Sequence, residues 1–109
     1  MANTLDLMQG TLDVLILKAL SWEPMHGYAI TTFLRDRTGG TFEVEEGALY
    51  HALHRLDRRG LVNSQWGLSE NNRKAKYYEL TSAGRQALRK ETVRFERYAR
   101  AVFTVLEIA

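Results

Sequence analysis

The stretch from Ser82 to Ala109, SAGRQALRKETVRFERYARAVFTVLEIA, constrains this chain more than any other. Thr81 is placed to cap a helix that runs from there to the C-terminus. Leu88, Phe95 and Val102 recur every seven residues, and Thr92, Ala99 and Leu106 follow four later in each heptad. That repeat makes an a/d-like apolar seam. Arg89, Lys90, Arg94, Glu96, Arg97 and Arg100 lie largely outside it, while Tyr98, Phe103 and Val105 widen it. At 1.5 Å per residue the helix extends ~40 Å, longer than a small domain can cover. The first helix raises the same difficulty. From a cap at Thr11, Leu12, Leu15, Ile16, Ala19 and Leu20 keep helical spacing, but Val14 and Leu17 make the opposite side apolar as well. Two such helices predict a chain that pairs with itself, each first helix packed between its own domain and the other copy's final helix. The expected interface is Leu12, Leu15, Leu88, Phe95, Tyr98, Val102, Phe103 and Leu106.

The chain has 109 residues, room for one core. With 45% hydrophobic and 26% charged residues it has the composition of a globular domain, not of a disordered segment. The absence of cysteine removes disulfides, thiolate zinc sites and cysteine nucleophiles together, and fits a reducing compartment. Near the N-terminus Asp6 and Asp13 stand where a secretion leader wants lysines, and Lys18 interrupts the apolar run. Nothing approaches the ~20 apolar residues of a membrane span. The expectation is a cytoplasmic protein with no membrane partner.

Between the two apolar helices the elements follow from local pattern. Trp22-Glu23-Pro24 ends the first helix, because the residue before proline avoids helical geometry. A second helix is expected from about His26 to Thr38, with Ala29, Ile30, Phe33 and Leu34 inward and Gly39-Gly40 as its stop. TFEV alternates briefly as a single short strand. EEGALYHALHRLDRR is a third helix with Leu49, Leu53 and Leu56 as its buried stripe, ended by Gly60. LVNSQWG and KAKYYEL read as paired strands around a loop containing Asn71-Asn72. Three helices followed by a hairpin give a mainly α fold with a small β-hairpin (α+β). This is the layout of a winged helix-turn-helix domain, residues 1–81, followed by a dimerisation helix, residues 82–109.

Charge is distributed unevenly along this layout. Net charge is only +2, yet residues 1–34 hold one cation, Lys18, against Asp6, Asp13 and Glu23. Cations gather instead at Arg55, Arg58 and Arg59 and at Arg73, Lys74 and Lys76. With the leucine stripe inward, the helical period turns Tyr50, His51, His54, Arg55 and Arg58 to the outer face of the third helix or its flanks. Arginine can pair bidentately with guanine, and both tyrosine and arginine reach phosphate oxygens. Alone, such a face is only the solvated side of an amphipathic helix. Its position just before a hairpin tipped with Arg73, Lys74 and Lys76 favours duplex DNA, with the helix in the major groove and the hairpin clamping the backbone. Tyr78 and Leu80 share strand parity and are expected to face the core. Glu45 and Glu46 suit the positive end of the third helix, although they would repel nearby phosphate.

GTLDVLILKAL, PMHGYAI, EGALYHAL, RRGLVNSQW and RKAKYYELTSAG, in that order, resemble the PadR family of transcriptional regulators over almost the whole chain. The resemblance implies a homodimeric winged-helix repressor on a pseudo-palindromic operator. By position it makes the segment around Gly47, Tyr50, His54 and Arg55 the DNA-contacting helix and Arg73–Lys76 the wing, with Tyr28 touching the backbone. Many relatives have proline after the Leu-Tyr pair where this chain has His51, so their base preference does not transfer. The compact C-terminal part is similar to the short members with a single dimerisation helix. Some relatives bind flat hydrophobic molecules at the dimer interface, and Trp22, Phe95 or Tyr98 would serve such an effector.

Two other classes were weighed. His26, His51 and His54 could hold a metal or act as a base, but no HExxH, GxSxG, phosphate-binding or dinucleotide glycine motif accompanies them. Neither an enzyme, nor a metal, nor a cofactor is expected. A winged helix that binds only other proteins is the closer rival, kept open by Glu45, Glu46 and the low net charge.

Overall fold

In the computed structural model, which describes residues 4–8 and 10–108, the first helix, α1 (Thr11–Leu20), is the element around which the others pack. Ile16, Leu17, Ala19 and Leu20 are buried, and α1 touches α2 (Gly27–Arg37), α3 (Glu46–Arg58), strand β3 (Lys74–Leu80) and α4 (Ser82–Leu106). The nearly all-round apolar character of α1 is thus used mainly within the chain. Of its apolar residues, only Leu12, Val14 and Leu15 remain half-buried. Thr11 is not the cap expected of it: it is the first helical residue, and Gly10 holds the cap position at φ 89° without a side-chain hydrogen bond. The incoming chain turns through left-handed backbone there, which glycine adopts at no steric cost.

Ile30 and Leu34 of α2 and Leu49, Ala52, Leu53 and Leu56 of α3 complete the helical core. The hairpin of β2 (Val62–Leu68) and β3 closes it, burying Val62, Tyr78 and Leu80 in the strand parity expected. The sheet has a third strand, but not where the sequence suggested one. Residues 41–44 form no strand; one backbone bond ties them to the N-terminal segment, from Leu5 N–H to the Thr41 carbonyl at 2.8 Å. Met25–His26 instead forms a two-residue strand, β1, antiparallel to Tyr77 and Tyr78 of β3, giving the sheet order β1-β3-β2.

The joint to α4 is tight. The Thr81 hydroxyl accepts from Gly84 N–H at 3.0 Å, the cap expected, and donates to the Gly60 carbonyl at 2.7 Å. Thr81 N–H bonds the Leu61 carbonyl at 3.1 Å. Gly84 is buried against that same carbonyl, where a Cβ would overlap the oxygen and lie 3.1 Å from the carbon. From there α4 runs 25 residues, about 37 Å. It ends at Glu107 in left-handed backbone, while Ala109 lies outside the described residues. Ala87 and Leu88 pack on the core, but beyond Glu91 every residue through Ile108 except Ala99 is exposed.

Candidate nucleic-acid interface

The outer face of α3 carries side chains that no other described residue covers. Leu49, Ala52, Leu53 and Leu56 fix the helix's rotation, so the period puts Gly47, His51, His54 and Arg58 opposite them, all exposed. Tyr50 lies on the flank facing α2. Its hydroxyl rests over Gly27, where an added Cβ would stand only 2.6 Å from it, so glycine at that position permits the close approach.

The N-terminus of α2 is fixed by a buried histidine. His26 Nδ1 accepts from Ala29 N–H at 3.1 Å, acting as the helix cap. A nitrogen that accepts carries no proton, so the neutral ring holds its proton on Nε2. That nitrogen is buried with no hydrogen bond, 3.8 Å from the Glu70 carboxylate, and the ring meets Tyr77 edge-on at 5.2 Å. His26 therefore caps α2 and packs against Tyr77 of β3, with the Glu70 carboxylate of the wing turn nearby. From the sequence alone His26 stands only as a candidate metal ligand or base.

The wing turn has the chemistry expected of it. Ser69 N–H bonds the Arg73 carbonyl and Asn72 N–H the Ser69 carbonyl, both at 2.9 Å, with Asn72 at φ 60°. Asparagine tolerates that left-handed conformation better than most residues. Tyr28, Tyr50, Arg73, Lys74 and Lys76 then line one open cleft of about 590 Å³ between α2, α3 and the hairpin, together with Trp66 and Glu70. Tyr78 forms its floor, and burial, helped by the Tyr50 and Asp57 side chains, raises its phenol pKa so that the hydroxyl stays protonated. Two separate sequence signals, the third helix and the cationic hairpin tip, thus meet at one surface.

Arg55 is the exception. It lies on the flank of α3 toward α1, where its guanidinium meets the Asp13 carboxylate at 2.8 Å. The sequence reading gave Arg55 to the DNA face and Asp13 to the helix dipole; the structure pairs them. Trp66 was passed over as a site residue. It sits directly opposite Lys76 and is well exposed, with Lys74 Nζ 5.0 Å from its ring centroid. The register that puts it there is set by the turn length and the pairing, not by β2 alone.

The expected dimer residues divide into two groups. Leu12, Leu15 and Leu88 pack against the chain's own core, whereas Phe95, Tyr98, Val102, Phe103 and Leu106 are exposed on α4. Phe95 and Tyr98 meet edge-on at 6.3 Å. Trp22, at the α1–β1 turn, lies instead beneath the Arg37 guanidinium, 5.0 Å from its ring. Among the described residues no three histidine or acidic side chains are grouped to hold a metal ion, and no helix is long and apolar enough to cross a membrane.

Residues 16–90 match the model of the transcriptional regulator PadR-like family. The chain belongs to that family. It is 31% identical over 83 residues to an uncharacterised protein X of Lysinibacillus sphaericus, covering 76% of each chain. A transcriptional regulator of Clostridium thermocellum is similar in structure with a TM-score of 0.80, at 26% identity over 88% of this chain and 90% of that one. A PadR family transcriptional regulator of Eggerthella lenta gives 0.77, at 32% identity over 93% and 86%. The winged-helix architecture is common to this PadR-like chain and those structures, and the family's members are transcriptional regulators, not enzymes.

Proposed function

We propose that this PadR-like regulator is a homodimeric repressor that binds a pseudo-palindromic DNA operator through α3 and the wing. The observation that carries this reading is the convergence of Tyr28, Tyr50, Arg73, Lys74 and Lys76 on one cleft beside the uncovered face of α3. In this reading Gly47, His51, His54 and Arg58 meet base edges in the major groove. Tyr28 and Tyr50 reach phosphate at the N-terminus of α2, whose dipole favours negative charge. Arg73, Lys74 and Lys76 hold the backbone beside it. Arg55 is a strut to α1 and not a reader of bases.

In this reading α4 is the dimerisation helix and the elements before it are the DNA-binding unit. The exposed apolar face of Phe95, Tyr98, Val102 and Leu106 supports pairing with a second copy, since so many large apolar groups on one helix call for a cover. Two-fold pairing presents two α3 helices to half-sites about one duplex turn, or a multiple of it, apart. A small flat hydrophobic effector would enter beside Phe95 and Tyr98. The rival, a winged helix that binds only proteins, draws on Asp6, Glu43 and Glu45, which line a second cleft near the start of α3.

Selection of binding sites from random duplexes, followed by titration at several salt concentrations, tests the proposal. Selected DNA should bind more tightly than random DNA, with a linear log–log salt dependence. Alanine at Arg73, Lys74 or Lys76 should weaken all sequences alike and shallow that slope by about 0.9 per lost phosphate contact. Alanine at His54 or Arg58 should relax sequence preference by ~1–3 kcal/mol. Equal affinity for selected and random DNA at every salt concentration would refute a specific repressor.

A further inference from the structure

The face of the hairpin that covers the core does not stop where the core stops. Near its base Val62, Tyr78 and Leu80 are buried; farther out the same face continues with Trp66 opposite Lys76 and Leu68 opposite Lys74. Trp66 is 61% exposed and Leu68 65%, so two large apolar side chains stand two residues apart on this face of the wing. We propose that Trp66, with Leu68 beside it, is an apolar wedge that enters the DNA minor groove flanking the half-site read by α3.

This rests on the DNA-binding reading above and adds to it a specificity-determining residue. Two features of the hairpin, and the order of the grooves on a duplex, carry the assignment. Trp66 lines the same cleft as Tyr28, Tyr50, Arg73, Lys74 and Lys76, and Lys74, 5.0 Å from the ring centroid, and Lys76, its cross-strand neighbour, set cations beside the indole for the phosphates that border a groove. The wing tip is braced from behind: the Tyr77 ring lies 3.1 Å from where a Gly67 Cβ would stand, and its hydroxyl donates to the Leu68 carbonyl at 2.8 Å. A braced hairpin fixes the strand that carries the indole before DNA arrives, so little backbone ordering remains to oppose binding. Finally, with α3 in the major groove, the groove beyond the neighbouring phosphates is the minor one. Apolar side chains there act by partly unstacking base steps, and the groove distinguishes A·T from G·C chiefly by the guanine amino group.

The chain has two tryptophans, and Trp22 lies at the α1–β1 turn, outside this cleft. A full-length Trp22→Phe protein therefore reports Trp66 alone by fluorescence, while a dye on the DNA reports binding by anisotropy. On a selected operator, Trp66 emission should be quenched in step with the anisotropy change. Changing one flanking A·T pair to G·C should weaken binding about ten-fold. Inosine·C, which keeps the major groove of G·C but removes the minor-groove amino group, should restore it. Trp66→Ala should bind the A·T flank about ten-fold less tightly and the three flanks alike. Operator binding with Trp66 emission unchanged, or a Trp66→Ala protein that still prefers A·T over G·C at the flank, would overturn the wedge and leave the repressor reading standing. Absence of any anisotropy change would overturn both.

Discussion

Replacing Gly84 by alanine sets two effects against each other, and the structure gives their relative size. Glycine inside a helix is worse than alanine by roughly 1 kcal/mol, so propensity alone predicts stabilisation. A Cβ at this position, however, would overlap the Leu61 carbonyl oxygen and stand 3.1 Å from its carbon and 3.2 Å from Leu80 Cδ2. The carbonyl is not free to retreat, because it accepts from Thr81 N–H at 3.1 Å. An ordinary carbon–oxygen contact of about 3.3 Å therefore requires α4 to shift from the hairpin base by roughly 1 Å. Overpacking of this kind costs about 1–3 kcal/mol, and a weakened Thr81–Leu61 bond adds about 1 kcal/mol. The net is a loss of about 2 kcal/mol, or about 8 °C in the melting midpoint for a chain of this size. Urea unfolding of Gly84→Ala and the parent, at one protein concentration because a dimer's stability depends on it, measures the difference. A variant as stable as the parent, or more so, would refute the packing argument. The same shift would tilt α4 against the winged unit and change the spacing of the two α3 helices. Operator affinity should then fall by more than affinity for random DNA.

The Asp13–Arg55 pair should give a coupling of about 0.5 kcal/mol in a double-mutant cycle, shrinking with salt, since both side chains keep some solvent contact. If Arg55 is a strut, Arg55→Ala and Asp13→Ala should affect operator binding similarly; a change of base preference with Arg55→Ala alone would return it to the DNA face. Phe95→Arg with Val102→Arg should yield a folded monomer by light scattering, with at least ten-fold weaker operator binding. A stable monomer from the parent chain at micromolar concentration would exclude dimerisation through α4.

Much of this molecule was legible along the chain because the signals are local. The leucine period of α3 set its rotation, Asn71-Asn72 marked the wing turn, and Thr81 capped α4 as its position suggested. The heptads from Leu88 to Leu106 predicted a helix with more apolar surface than its domain uses, and beyond Glu91 α4 is exposed except at Ala99. Sequence periodicity places a residue on a helix or strand face; it does not say which neighbour that face meets. The helical period puts Arg55 with the DNA-facing residues of α3, but its partner Asp13 is 42 residues away and reaches it only when α1 packs across α3. β1 is two residues long, too short for any alternation to register, and exists because the free edge of β3 passes beside Met25. Gly27 and Gly84 carry no local pattern either. Gly84 is required by the approach of the Leu61 carbonyl, and Gly27 lets the Tyr50 hydroxyl rest against α2. Trp66 follows the same logic: its exposure beside Lys74 and Lys76 comes from a pairing register between two strands, a relation that neither strand's residues encode alone.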